Sequence, residues 1–182
     1  MGKAIFWDLQ GTLGGQAIAD IKEFEFYSFP IEALKIATNA GYLNIVITNQ
    51  SRIGKGVLSM ADYEAKVSIL IEQVKQNGGR IDKFLYCPHT RSDNCDCKKP
   101  KTGLIKMAVD EYKIDLKKSF VIGDMGKNEI VMAKNAGVKG ILVLTGGGLG
   151  SLNEFRDTWK EYEADYIAEN ALRAVEWIIS SK

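Results

Sequence analysis

What this chain lacks narrows what it can be. Net charge is nearly absent: the excess of Lys and Arg over Asp and Glu is +1 across 182 residues, with the two signs interleaved, so no charge footprint for nucleic acid or anionic lipid is visible. A small ligand is the expected partner. No apolar run reaches membrane-spanning length. The start, MGKAIFWD, has neither the basic segment nor the small-residue cleavage site of a secretory signal, and a cytoplasmic protein is the expectation. Gly2 does not make a myristoylation signal, because Phe6 stands where Ser or Thr is needed. Repeats, low-complexity tracts and linkers are also missing, and no heptad or spare apolar stripe suggests self-association. At 46% hydrophobic residues a chain of this size can build its own core, so residues 1–182 are expected to form one domain and a monomer.

Cysteine and histidine are absent outside one short stretch. All three cysteines and the only histidine fall in CPHTRSDNCDC, residues 87–97. Cys87, His89, Cys95 and Cys97 have the composition and spacing of a closed tetrahedral zinc site. The competing reading, a disulfide plus one free thiol, is disfavoured in a reducing cytoplasm. Four protein ligands leave no open position, so the zinc would be structural. It would staple a polar loop too short for a core of its own and hold Lys98-Lys99-Pro100 in place behind it.

Along the rest of the chain, short apolar runs alternate with stretches of helical period. KAIFW, LNIVIT, KFLYC, SFVIG and GILVLT read as strands covered on both faces. PIEALKIATNAG, MADYEAKVSILIEQVKQNGG, TGLIKMAVDEYK and NEIVMAKNAG read as the intervening helices, with Gly41, Gly78 and Gly137 as stop signals. In the tail, NEFRDTWKEYE is expected to be helical, DYI a short strand and NALRAVEWIIS a final amphipathic helix; Trp159, Trp177, Ile178 and Ile179 are read as core. The alternation predicts a doubly wound, Rossmann-like α/β fold with a parallel sheet and right-handed crossovers. Ligands in such sheets bind at the carboxyl ends of the strands. Polar groups gather there: Asp8 to Thr12, Thr48 to Ser51, Cys87 to His89, and Asp124. A carboxylate at the end of a central strand, inside a glycine turn, is placed to be a nucleophile or a metal ligand. With Asp124 at the same edge, the pair could hold Mg²⁺. TGGGLG, Thr145 to Gly150, could cradle a phosphate but does not fit a dinucleotide fingerprint, and is read as a flexible turn.

This set of strand ends resembles the haloacid dehalogenase-like phosphohydrolase superfamily. DxxGT beginning at Asp8, ITNQS with Thr48, KKPKTG with Lys99 and VIGD with Asp124 are similar to its four motifs in order. TNQSxIGKG followed by CPHx5CxCxKP looks like the capless, zinc-loop branch that includes heptose bisphosphate and histidinol phosphatases. The likeness runs from about Lys3 to the last helix. It implies a core without a separate cap domain, in which Asp8 attacks phosphorus to form an aspartyl phosphate. Thr48 and Lys99 would hold the transferring group, while Asp8, Asp124 and the main-chain carbonyl of Gln10 would bind Mg²⁺. Lys98 falls where the family places a substrate-recognising basic residue. Asn49, Gln50 and Ser51 would meet phosphate or substrate, and Arg52, at a position of glycine in the relatives, is either a substrate contact or a solvated side chain.

Two positions depart from the pattern. The family's residue two after the nucleophile is an aspartate that protonates the leaving oxygen and then activates water; here it is Gln10, whose carboxamide cannot exchange that proton. Such acid–base catalysis contributes about 10²–10⁴-fold. Asn128 stands where a second metal-orienting aspartate is frequent, and Glu129, one residue late, would need a change of helical register to substitute. The expectation is therefore an Mg²⁺-dependent phosphatase of a small sugar-like phosphate, slowed at its proton transfers, that favours acidic leaving groups. The alternative is a phosphometabolite sensor on a phosphatase fold. A receiver-type signalling domain is shorter and lacks the zinc loop, and a zinc-knuckle nucleic-acid module lacks the basic and aromatic surface it would need.

Overall fold

The computed structural model describes residues 2–181. Six strands form one parallel sheet: β1 (Lys3–Trp7), β2 (Tyr42–Asn49), β3 (Lys83–Cys87), β4 (Phe120–Gly123), β5 (Lys139–Val143) and β6 (Tyr166–Ala168), in the order β3-β2-β1-β4-β5-β6. The helices are α1 (Pro30–Asn39), α2 (Ser51–Gly54), α3 (Met60–Gln76), α4 (Gly103–Tyr112), α5 (Val131–Ala136), α6 (Gly148–Leu152) and α7 (Ala171–Ser180). Period-two alternation divides the core. Ile5 and Trp7 of β1 face one side with Leu34 of α1, Leu70 and Val74 of α3 and Ile178 of α7, while Ala4 and Phe6 face the other with Leu104 and Ala108 of α4 and Met132 of α5. Both faces of the sheet are therefore buried, which is why its strands read as unbroken apolar runs.

All six expected strands and five of the expected helices are present, and Gly41, Gly78 and Gly137 take the left-handed conformation that closes α1, α3 and α5. The exception is NEFRDTWKEYE. The chain there is helical earlier, in α6, and then only as a short 3₁₀ turn over Arg156–Trp159. Arg156 donates to the carbonyls of Trp159 and Tyr162, and buried Trp159 donates its indole N–H to Ser151. These contacts pull the segment out of the helix its periodicity suggests. No helix of the described residues is long and apolar enough to cross a membrane.

Strand addition reverses direction beside β1: β2 and β3 extend one way, β4 to β6 the other. Such a reversal opens a crevice at the carboxyl ends of the strands, and the site lies there.

Candidate active site

Asp8 follows β1 and Asp124 follows β4, on strands paired from Ile5↔Phe120 to Trp7↔Ile122. Asp8 is buried. One of its oxygens accepts the Thr12 hydroxyl at 3.1 Å and the other the ammonium of Lys99. Lys99 is buried too, and also reaches the carbonyl of Ile47 at 3.1 Å. Its backbone is tied to β2 by Asn49, which accepts from the Lys99 N–H at 3.0 Å and donates to the Lys99 carbonyl at 3.4 Å. Asn49 thus sets the lysine in place from the end of the neighbouring strand.

The second partner of Lys99 is Glu129, at 2.8 Å. The turn that opens the helix after β4, Gly126–Ile130, is π-helical, with the Val131 N–H reaching back to Gly126. One extra residue fits in that turn, which is the change of register needed to bring the residue after Asn128 into the site. Glu129 is 1% exposed, and its other oxygen accepts the Met125 N–H at 3.0 Å. Asn128 lines the same chamber. A carboxylate therefore enters the chamber one residue beyond Asn128.

Three carboxyl groups, Asp8, Asp124 and Glu129, face one ammonium. Burial pushes Asp124 up to about 8, with the charges of Asp8 and Glu129 adding to the effect. Burial likewise carries Glu129 up to about 7, against the pull of Lys99. For Lys99 burial acts downward, but Asp8 and Glu129 outweigh it and raise its pKa. An excess of buried negative charge beside oxygen donors is what a divalent cation would neutralise, so this donor set fits Mg²⁺. Glycines make room for it: Gly11 (φ +93) and Gly146 (φ +53) lie against the Asp124 carboxylate, where any Cβ would collide with it. The Gly147 N–H donates to Asp124 at 2.7 Å. The TGGGLG turn thus serves the carboxylate.

Thr48, at the end of β2, is buried, and its hydroxyl oxygen accepts from Gln50 at 3.1 Å. Gln10 lines the chamber, but its carboxamide is turned to the segment 15–20. Lys98 donates to the hydroxyl of Ser51 and to the His89 carbonyl. Arg52 pairs with Asp20 at 3.4 Å. Beside the chamber opens a cleft of ≈ 540 Å³ whose charged lining is Arg91, Lys98, Lys99, Lys101 and Lys127, with no carboxylate among the described residues. Arg91 and Lys127 escaped sequence reasoning because isolated surface cations have no local signature.

The ligand atoms of Cys87, His89, Cys95 and Cys97 lie within 4.8 Å of one another. The Cys87–Cys95 sulfurs are 3.6 Å apart, and His89 Nδ1 lies 3.7 Å from Cys87 and 3.2 Å from Cys97. A tetrahedral ion with ~2.3 Å bonds to sulfur has edges of about 3.7 Å, so the cluster has the dimensions of a closed zinc site. All three thiols are free of disulfides. Burial pushes Cys87 up to about 12; Cys95 falls to about 7, because backbone N–H groups and neighbouring thiols overcome the effect of its burial.

The family model described as HAD-hyrolase-like matches residues 96–174. D-glycero-beta-D-manno-heptose-1,7-bisphosphate 7-phosphatase of Helicobacter pylori is 36% identical over 146 residues, covering 79% of this chain and 83% of the relative. The protein of that name from Pseudomonas putida is 32% identical over 155 residues, covering 84% and 88%. Among solved structures, D,D-heptose 1,7-bisphosphate phosphatase from B. bronchiseptica, complexed with magnesium and phosphate, superposes with a TM-score of 0.90 at 26% identity, covering 99% of each chain. The fold and strand-end chemistry define a phosphohydrolase core of the doubly wound class. The chain belongs to the haloacid dehalogenase-like phosphatases, the family of the heptose bisphosphate phosphatases it resembles.

Proposed function

We propose that this phosphatase is Mg²⁺-dependent and removes one phosphate from a small sugar bisphosphate through an aspartyl phosphate on Asp8. The carrying observation is the cleft without carboxylates: Arg91, Lys98, Lys101 and Lys127 line a space next to the Asp8 chamber, suited to a second anionic group on the substrate that presents its first to Asp8. The names of the relatives, heptose 1,7-bisphosphate 7-phosphatases, support the same class.

In this reading Asp8 attacks phosphorus, the bond to the leaving oxygen breaks, and water later cleaves the aspartyl phosphate. Lys99 and the Thr48 hydroxyl hold phosphoryl oxygens, and Asn49 keeps Lys99 in position. Mg²⁺, held by Asp8, Asp124 and the Gln10 carbonyl, would supply charge neutralisation at the phosphoryl group. The cysteine–histidine cluster would hold zinc with a structural role. Gln10 transfers no proton, so the first step runs slowly unless the leaving group is acidic, and the attack of water on the aspartyl phosphate runs slowly whatever the leaving group.

The test is phosphate release from heptose 1,7-bisphosphate, histidinol phosphate and an aryl phosphate with Mg²⁺, comparing the protein with Asp8→Asn. Turnover of the bisphosphate that vanishes in Asp8→Asn is expected. If both proteins are inert while the bisphosphate raises the melting temperature, the site is a sensor; the engagement of the Gln10 side chain away from Asp8 is what favours that second reading.

A further inference from the structure

The segment from Gly15 to Asp20 crosses the mouth of the site as a strap. Ala17 borders the Asp8 chamber, the cationic cleft and a third groove of ≈ 270 Å³ lined by Arg52 and Lys55. Ile18 beside it is 89% exposed. The strap's ends are fixed: Gly15 pairs with Glu25 and accepts the Tyr27 hydroxyl, and Asp20 caps the turn at Lys22 and meets Arg52. Its middle is held differently. Gln10 spends both N–H bonds of its amide there, on the carbonyls of Gln16 at 3.1 Å and Ala19 at 2.9 Å.

Those two bonds settle the orientation of every group behind them. With the amide nitrogen of Gln10 on the strap, its oxygen accepts from Gln50 at 3.1 Å, and the Gln50 amide also donates to Thr48 at 3.1 Å. The Thr48 oxygen is then an acceptor within the protein, and its proton is left for a phosphoryl oxygen. A carboxylate at position 10 could accept from Gln50 but could donate to neither strap carbonyl. It would face two carbonyl oxygens unpaired.

We propose that Gln10 and Gln50 are positioning residues: a relay Thr48–Gln50–Gln10–strap aims the Thr48 hydroxyl at the phosphoryl group and holds the strap across the entrance, dividing the cationic cleft from the Arg52 groove. The Thr48 half rests on the phosphatase reading above; the strap half does not. On this account the carboxamide is a trade, in which the proton carrier is given up for an anchored entrance.

The experiment is hydrogen–deuterium exchange over residues 16–20, where the Ala19 N–H is bonded within the strap to Gln16. It is run on the full chain and on Gln10→Glu, Gln10→Met and Gln50→Leu, with and without Mg²⁺ and inorganic phosphate. Losing two hydrogen bonds should speed exchange there about tenfold in both Gln10 variants, with the core strands unchanged. Unchanged strap exchange in both overturns the anchoring. Mg²⁺ and phosphate should slow strap exchange in the parent and not in Gln50→Leu; equal slowing in the two overturns the relay. A parent indifferent to phosphate refutes the phosphatase reading and the relay together, and leaves the anchoring to be decided by the Gln10 variants. Kinetically, Gln50→Leu should raise KM more than it lowers kcat, and a fall in kcat alone contradicts a positioning role.

Discussion

Glu129→Ala removes one of the two carboxylates paired directly with a buried ammonium. The variant leaves the half-buried Met125 N–H without its acceptor and one side of the buried Lys99 ammonium bare. Breaking a buried pair by deleting one partner costs about 3–5 kcal/mol. Two features place this case at the lower end: Lys99 keeps Asp8 and the Ile47 carbonyl, and burial already opposes the Glu129 charge, holding its pKa at about 7. A loss of ~3 kcal/mol corresponds to a melting temperature lower by roughly 6–12 °C in a domain of this size. Glu129→Gln keeps an acceptor for one of the two donors and should cost about 1 kcal/mol. Asn128→Ala should stay within ~0.5 kcal/mol, since no hydrogen bond holds that side chain. Urea unfolding with an unchanged slope measures all three. The reasoning fails if Glu129→Ala costs under ~1 kcal/mol, or if Asn128→Ala costs as much, because either would mean that the π turn does not deliver a structural carboxylate.

Removing the metal from the cysteine–histidine cluster should lower the melting temperature more than it weakens Mg²⁺ binding; an unaltered melting curve in the stripped protein would contradict a structural ion. Aryl phosphates should turn over faster than alkyl phosphates, since acidic leaving groups need little protonation, and equal rates would show that protonation of the leaving oxygen does not limit turnover. In Mg²⁺-free protein, the pKa of Asp124 is raised from 3.8 in the unfolded chain to about 8. The unfolded state releases this proton first, so folded stability falls as pH climbs from about 4 to 8. Asp124→Asn should therefore gain on the parent across that window in paired melting curves, and a flat difference would refute the assignment.

The strands were legible because two-sided burial leaves unbroken apolar runs, and the ends of β1, β2 and β4 carried Asp8, Thr48 and Asp124 in plain sight. At 3.6 residues per turn Glu129 reaches the site only through a change of helical register, which no local signal announces and which the wider winding of Gly126–Ile130 supplies. The helix expected over NEFRDTWKEYE failed where Arg156 and Trp159 make tertiary bonds that outweigh local periodicity. The strap could not be read at all. Its anchor is a pair of side-chain bonds to main-chain carbonyls, and carbonyls carry no sequence.

The strand order has a consequence for the growing chain. Asp8 emerges ahead of the other members of its charge cluster, on the strand that β2 soon flanks on one side. Its ammonium partner comes at residue 99, and the other flank, β4, with Asp124 and Glu129, later still. A product truncated before residue 129 therefore lacks part of the charge constellation, including one of the two carboxylates that pair with Lys99. The charge cluster is complete only once β4 and the turn behind it have joined the sheet beside β1.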